Sequence, residues 1–334
     1  MHNAMHFETA LFRRVYMKKY VLNRFLQMIP TLIGVSVIIF YLFALMPGDY
    51  IDGNRKITPQ RAHELRVLYG LDKPIIHRYF IWLNNAIHGN FGFSLKYLQS
   101  VTSLINQFIW NSFIIAIATL IFTWSIALVI GIFSATKQHS FFDRIVTLGV
   151  FASLSVPSFF IGLLMIKIFG VDLKLLPVGS MIETGSNYTG ITYVLDVIRH
   201  MILPVGVLTF LSVGSLTRYF RSGMLDVLRL DFIRTARAKG LKERTVIFRH
   251  ALKNAMLPAI TLLAFEIPGL FSGAIITEQI FNWPGIGRIQ LDALSARDYP
   301  VLMTLTMLLS FLTIFGNFLA DILYAVADPR IRLK

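Results

Sequence analysis

Six stretches of this chain are apolar over roughly the length of a bilayer-crossing helix, and nothing else constrains the fold as strongly. They run over 25–46, 112–135, 145–167, 201–216, 257–276 and 301–324. About twenty residues of helix cover a ~30 Å hydrocarbon core. Inside that core each backbone N–H and C=O must be paired within its own segment, which a helix achieves. The expectation is an all-α polytopic membrane protein with six transmembrane helices. With 55% hydrophobic and 15% charged residues, the chain is too apolar for an ordinary soluble domain. The fourth run is the shortest, and Pro204, Gly206 and Gly214 interrupt it.

The net charge of +14 is not spread evenly. Residues 217–256 hold ten Lys/Arg against Asp226, Asp231 and Glu243. The N-terminus (Arg13, Arg14, Lys18, Lys19, Arg24), the 136–144 loop (Lys137, Arg144) and the tail (Arg330, Arg332, Lys334) raise the share to 20 of the 32 basic residues. Six spans place all four stretches on one side, and the positive-inside rule makes that side the cytoplasm. Both the 1–24 segment and the 326–334 tail are then expected inside a plasma membrane crossed several times. Topology accounts for the charge better than nucleic acid does. Segment 47–111 also carries seven basic residues, but it is long, and the rule weakens for long loops. The first apolar run exceeds a signal-peptide core and no small-x-small cleavage site follows it, so it reads as a retained span. Met17 is as good a start as Met1. With no cysteine in the chain, disulfides, thiolate metal sites and a cysteine nucleophile are excluded.

Two layers follow: the first span (25–46) with the external segment 47–111, then a five-span unit over 112–325. In the external segment the pattern predicts a helix from Pro59 to Tyr69, closed by Gly70 and a turn before Pro74. Ile75, Ile76, Tyr79, Phe80, Trp82, Leu83 and Ile87 recur at helical spacing, and residues 89–101 look extended. The segment reads as a small cap on the membrane domain and as a docking surface for an external substrate-delivery protein.

Between the fourth and fifth runs lies a basic, water-soluble segment, residues 231–258. It reads as two short helices hinged at Gly240, which sits where a helix C-terminus favours a left-handed residue, with Arg237 and Lys239 suiting the last turn. Met224, Leu225, Leu228, Phe232 and Ala236 would share one helical face. A second helix is expected over 242–254, without a good N-cap. Such a segment is either a rigid knob that fits a cleft in a cytoplasmic motor or an amphipathic loop drawn to anionic lipid. In the fifth run, Glu266 is costly at the bilayer midplane and is a translocation-pathway candidate, or else a glutamate hydrogen-bonded between helices. Pro268 offers a kink there, as do Pro157 and Pro204 in the third and fourth runs. Glu278 is a further pathway candidate. Together with Glu278, residues Trp283, Pro284, Gly285 and Gly287 form a turn-rich external gate, or an interfacial cap with Trp283 in the aromatic belt. Asp321 would pair with an arginine of the basic segment, and Lys167 would snorkel.

Enzyme chemistry finds little support. There is no GxxxxGK[ST], no dinucleotide fingerprint and no HExxH. The eight histidines are scattered, so no catalytic, metal or cofactor-binding residue is expected in this chain.

RTARAKGL (234–241) followed by RHALKNAMLP (249–258) resembles the cytoplasmic "EAA" coupling loop of ABC-importer permeases. Arg234-Thr235-Ala236 stands in for Glu-Ala-Ala, and Leu257-Pro258 falls 17 and 18 residues after Gly240, about one turn farther than in the generic motif. Both departures are similar to those of the oligopeptide/dipeptide branch. PGD (47–49), YGLDKP (69–74), GNFGFSL (89–95), SVPSFFIGLL (155–164), TEQIFNWPGIGR (277–288), RDYPV (297–301) and DPRIR (328–332) resemble pieces of the same permeases, in order, along nearly the whole chain. The resemblance implies a type-I ABC importer permease fold working by alternating access. It makes 217–256 the cytoplasmic coupling segment and Arg234, Thr235, Ala236, Arg237, Ala238, Lys239, Gly240 and Leu241 the ATPase-coupling residues. It also implies a second, related permease, two separate cytoplasmic ATPase subunits that bind ATP and Mg, an external substrate-binding lipoprotein, and peptide as cargo. Nickel chelates or other small solutes on the same scaffold are the alternative. A secondary transporter would need more intramembrane ionisable residues and no coupling knob.

Overall fold

The computed structural model describes residues 2–48, 51, 57–68, 70, 72–256, 259, 262, 263, 266 and 274–327, with side chains from residue 18 onward except at 65, 68, 324, 326 and 327. Helices dominate. The first is α1 (His2–Leu45), followed in the external segment by α2 (Pro59–Leu68) and α3 (Ile75–Ile87). A two-residue hairpin, β1 (Phe93–Ser94) and β2 (Gln99–Ser100), pairs antiparallel with Phe93 opposite Ser100. Next come α4 (Val101–Thr136), α5 (Phe141–Ser155), and α6 (Ser158–Met165), which runs on as a π-helix over Ile166–Asp172. The long α7 (Gly190–Leu228) leads to α8 (Asp231–Ala238) and α9. Helix α9 covers 243–255, with a π-helical middle at Val246–Ala251. Residues 274–280 are helical, and α10 (Ile286–Ala296) and α11 (Tyr299–Ala327) close the chain.

Among the described residues, four helices are long and apolar enough to cross a membrane (within α1, α4, α7 and α11), and a fifth is added if the bent pair α5 and α6 is taken as one span. The expected fifth run, 257–276, falls mostly outside the described residues, together with Pro268, Leu257, Pro258, Asp49 and 328–332. The third run bends where Pro157 offered a kink, since α5 and α6 meet at 105°. Pro157 supplies no N–H, and it holds Val156 extended (φ −94°, ψ 129°), out of the helical region. The fourth is neither short nor broken. It is a 39-residue helix with Pro204 inside it, and it absorbs 217–228 from the coupling segment. Its glycine at 214 serves close packing, because a Cβ there would strike Ser153 Oγ and lie 3.2 Å from the Val150 carbonyl.

The most extensive helix pairing is α4 against α7. A Cβ on Gly131 would sit 2.7 Å from Phe220 Cβ, so the two backbones nearly touch there, as small residues permit in membrane bundles. Helix α1 lies along α11, with Arg24 3.3 Å from Asp321 and the rings of Phe25 and Phe318 6.3 Å apart. Asp321 thus pairs with the N-terminal helix and not with a coupling-segment arginine, because the first and last helices are neighbours at that end. Lys167 reaches outward, 68% exposed, and meets Asp172 at 2.7 Å. Large apolar side chains such as Ile38, Leu42, Phe122 and Phe151 point outward and are more than half exposed, the surface hydrocarbon would cover.

At the end away from the coupling segment, α3 rests on α1. The hydroxyls of Tyr79 and Ser36 share a 2.9 Å hydrogen bond, and the Tyr79 and Phe40 rings lie 5.4 Å apart. The apolar stripe of α3 is divided: Ile75, Tyr79, Trp82 and Leu83 pack inward, while Ile76, Phe80 and Ile87 are 64%, 62% and 75% exposed. The hairpin is fastened to the start of α11. Ser94 Oγ donates to Asp298 Oδ2 at 2.6 Å, and Lys96 N–H donates to the same oxygen at 3.2 Å. Tyr97 hydroxyl donates to Asp292 Oδ2 at 3.1 Å, and burial, reinforced by Asp292, pushes that phenol up to about 12.

Candidate functional site

The coupling segment is built by two breaks in helical continuity. Helix α7 stops after Leu228, and extended Leu230 (φ −73°, ψ 149°) turns the chain into α8. That turn resets the helical phase. Met224, Ile233 and Ala236 are buried, whereas Phe232 is 41% exposed, which corrects the single continuous face expected from spacing. The second break is Gly240, at φ +75°, where an added Cβ would meet nothing within 4 Å. Glycine is needed there for the left-handed backbone, not for space. Its N–H donates to the Arg237 carbonyl at 2.9 Å and the Leu241 N–H to the Ala236 carbonyl at 3.4 Å, closing the end of α8.

One ion pair spans the hinge. Arg237 Nη2 lies 2.6 Å from Glu243 Oε1, and Nε donates to Oε2 at 3.1 Å. The guanidinium's hydrogen bond draws the Glu243 carboxyl below its usual range. The sequence reading counted Glu243 only as a charge, because its pairing with Arg237 depends on the turn at Gly240 and not on a helical period. Beneath the two short helices, Met224, Ile233, Ala236, Val246 and Ala251 form one apolar cluster with Ile132 and Ala135 of α4. The result is a knob seated on the ends of α4 and α7. Arg234, Thr235, Arg237, Ala238, Lys239, Gly240 and Leu241 all face outward, and Ala236 alone of the eight coupling residues is buried. Leu230, Phe232, Leu241 and Phe248 are 40–49% exposed, so the basic knob carries apolar contact area as well.

At the opposite end, the structure gathers Glu278, Trp283, Pro284, Gly285 and Gly287 into one cluster against α4. Glu278 is only 1% exposed. Its Oε1 accepts from Ser112 Oγ at 2.5 Å, and its Oε2 accepts from the N–H groups of Gly287 at 2.8 Å and Arg288 at 3.2 Å. Ser112 Oγ in turn accepts from Ile286 N–H at 2.8 Å. A carboxylate at the N-terminus of α10 satisfies that helix's unpaired donors and complements its dipole. The two glycines are a space requirement. A Cβ at Gly285 would collide with the Glu278 carboxylate, and one at Gly287 would lie 2.9 Å from it and 2.6 Å from the Ile275 Cα. Trp283 is fully buried, donating from Nε1 to the Asn111 carbonyl at 3.0 Å, while Asn111 Nδ2 donates to the Pro284 carbonyl at 2.7 Å. Trp283 is therefore a core anchor and not a belt residue. Glu278 is enclosed by its partners, so this cluster is a joint between α4 and α10. Glu266, helical and half-buried, is not part of it. Asn111 and Ser112 were missed by the sequence reading, since nothing local distinguishes two polar residues at the start of an apolar run.

The family model for the "binding-protein-dependent transport system inner membrane component" matches residues 127–333, and the model for the N-terminal part of such membrane components matches 17–102. The chain belongs to this family of transport-system membrane components. The knob and the Glu278 side of the joint fall within the 127–333 match, and the external helices and hairpin within the other, while Asn111 and Ser112 lie between the two. Similar proteins include the oligopeptide transport system permease protein AppB of Bacillus subtilis, 38% identical over 318 residues, 94% of this chain and 99% of that protein. The di/tripeptide transport system permease protein DppB of Pseudomonas aeruginosa is 37% identical over 341 residues, covering 95% and 99% of the two chains. The dipeptide permease protein DppB of Escherichia coli is 35% identical over 346 residues, 95% of this chain and all of that one. Among solved structures, the inward-facing MetNI methionine ABC transporter matches with a TM-score of 0.52 at 14% identity, over 67% of this chain and 96% of that one. The fold of this transport-system component is that of a type-I ABC importer permease, and the component is a multi-pass membrane protein.

Proposed function

We propose that this chain is one permease subunit of an ATP-driven importer for oligopeptides, with dipeptides second, working by alternating access in the plasma membrane. The observation that carries the coupling role is the knob itself: two short helices, locked across a left-handed Gly240 by Arg237 and Glu243, standing on the ends of α4 and α7. A bundle of apolar helices has little other means of receiving force from a motor at one end. Peptide cargo is supported by relatives whose names specify oligopeptide, di/tripeptide and dipeptide transport over nearly their full lengths. In this reading a second, related permease completes the channel and two separate ATPases take the knobs of the pair. An external binding lipoprotein delivers peptide over the 47–111 segment. Six spans, with 257–276 as the fifth, leave both termini cytoplasmic. The Glu278 joint holds the external gate together, and Glu266 faces the pathway.

Co-expression with the partner permease and ATPases tests this through ATPase stimulation by a peptide-loaded binding protein. Gly240→Val places a β-branched residue at φ +75°, a strain of roughly 1–3 kcal/mol. The complex should reach the membrane while stimulated ATPase and uptake fail. A wild-type complex that never responds to peptide would sink the cargo assignment, and one without an ATPase would sink the coupling role.

A further inference from the structure

Directly under the knob lies a buried charge cluster outside residues 231–258. Arg221 of α7 grips Asp143 of α5 with two prongs, Nε to Oδ1 at 2.7 Å and Nη2 to Oδ2 at 2.9 Å. Ser134 Oγ, near the end of α4, donates to Asp143 Oδ1, and Arg221 Nε also reaches Ser134 Oγ at 3.1 Å. The His139 N–H, presented by a left-handed backbone (φ +65°), donates to Asp143 Oδ2 at 2.9 Å. The Asp143 and Arg221 side chains are 6% and 27% exposed.

The position of this cluster matters more than its strength. The apolar socket of the knob uses Ile132 and Ala135 on α4 and Met224 on α7, each within one helical turn of Ser134 or Arg221. Apolar contacts resist separation, but they are non-directional and allow sliding. A two-pronged charged hydrogen bond is directional and fixes both angle and register. Gly131 brings α4 and α7 to backbone contact at the same level, and α5 leads from Asp143 to the 105° break before α6. Force applied to the knob therefore meets α4, α5 and α7 as one body.

We propose that Asp143 and Arg221 are positioning residues for transport: they pass knob movement to α5 and the broken span, and touch neither cargo nor nucleotide. This rests on the coupling reading above. The test is the full complex in proteoliposomes, with uptake per ATP hydrolysed as the readout. The double variant Asp143→Leu/Arg221→Met removes both charges and leaves neither unpaired, a change that buried pairs tolerate in assembly. Basal ATPase should be unchanged and stimulation by loaded binding protein lost. Uptake per ATP should fall about tenfold, a usual size for coupling between distant sites. Arg221→Lys, which keeps the charge without the fork, should fall between. A double variant that lowers only the melting temperature, with uptake per ATP as in wild type, overturns the proposal. If that variant does not assemble, Asp143→Asn is judged by the same ratio and the same two outcomes. The coupling reading fails separately, through a Gly240→Val complex that remains fully coupled.

Discussion

At the scale of single residues, geometry separates groups that composition would treat alike. Glu278 and Glu243 are both carboxylates beside the N-terminus of a helix. Glu243 is 54% exposed, and its pair with Arg237 sits in water. Arg237→Ala should therefore cost no more than about 1 kcal/mol of stability and act mainly on the hinge. Glu278 is enclosed and accepts three hydrogen bonds. Glu278→Gln keeps the size but turns one acceptor into a donor facing backbone N–H or Ser112. A buried mismatch of that kind costs about 1–3 kcal/mol. The expected outcome is a clearly lower unfolding midpoint for the purified complex carrying Glu278→Gln, beside a near-wild-type midpoint for Arg237→Ala. Equal midpoints would contradict the joint described here.

At the scale of elements, glycine and proline divide the work. Proline breaks the third span because Val156 must be extended before it. Pro204 leaves α7 unbroken, because in a membrane bundle neighbouring helices and local adjustment can satisfy the carbonyl it frees. Glycine at 131 sets how closely α4 and α7 approach, since a Cβ there would lie 2.7 Å from Phe220 Cβ and 3.2 Å from the backbone of Thr217 and Arg221. Gly131→Val should push the two helices apart at the level of the Asp143 cluster, at an overpacking cost of about 1–3 kcal/mol. A lower melting temperature together with weaker ATPase stimulation is expected. Gly149→Ala, with nothing within 4 Å of its added Cβ, serves as the neutral control. Loss of stability in both would contradict the packing argument.

At the scale of the whole molecule, two ends are built differently. One carries the basic knob and the Asp143 cluster. The other carries α2, α3, the hairpin and the Glu278 joint, rich in backbone-to-carboxylate bonds. Reporter fusions test how these ends sit in the cell. A reporter after residue 334 or within 137–140 should be active only in the cytoplasmic form, and one within 182–188 only in the external form. The opposite pattern would reverse the orientation drawn from basic residues. A tail outside with the 137–140 loop inside would remove one span and contradict the count of six.

What the sequence determined by itself is what depends on local chemistry: the apolar runs, the helix-ending Gly240, the 59–68 and 75–87 helices, and the basic segment as one unit. Each follows from a propensity or a period acting over a turn or two, and the order of the family-like motifs added the class of transporter. The tertiary structure alone decided whatever joins residues far apart in the chain. Ser112 meets Glu278, Ser94 meets Asp298 and Arg24 meets Asp321 because helices of 29 to 44 residues bring distant segments to a common end. Arg221 finds Asp143 because α5 packs against α7. Periodicity places a side chain on a face, but the partner that face receives depends on how whole helices pack.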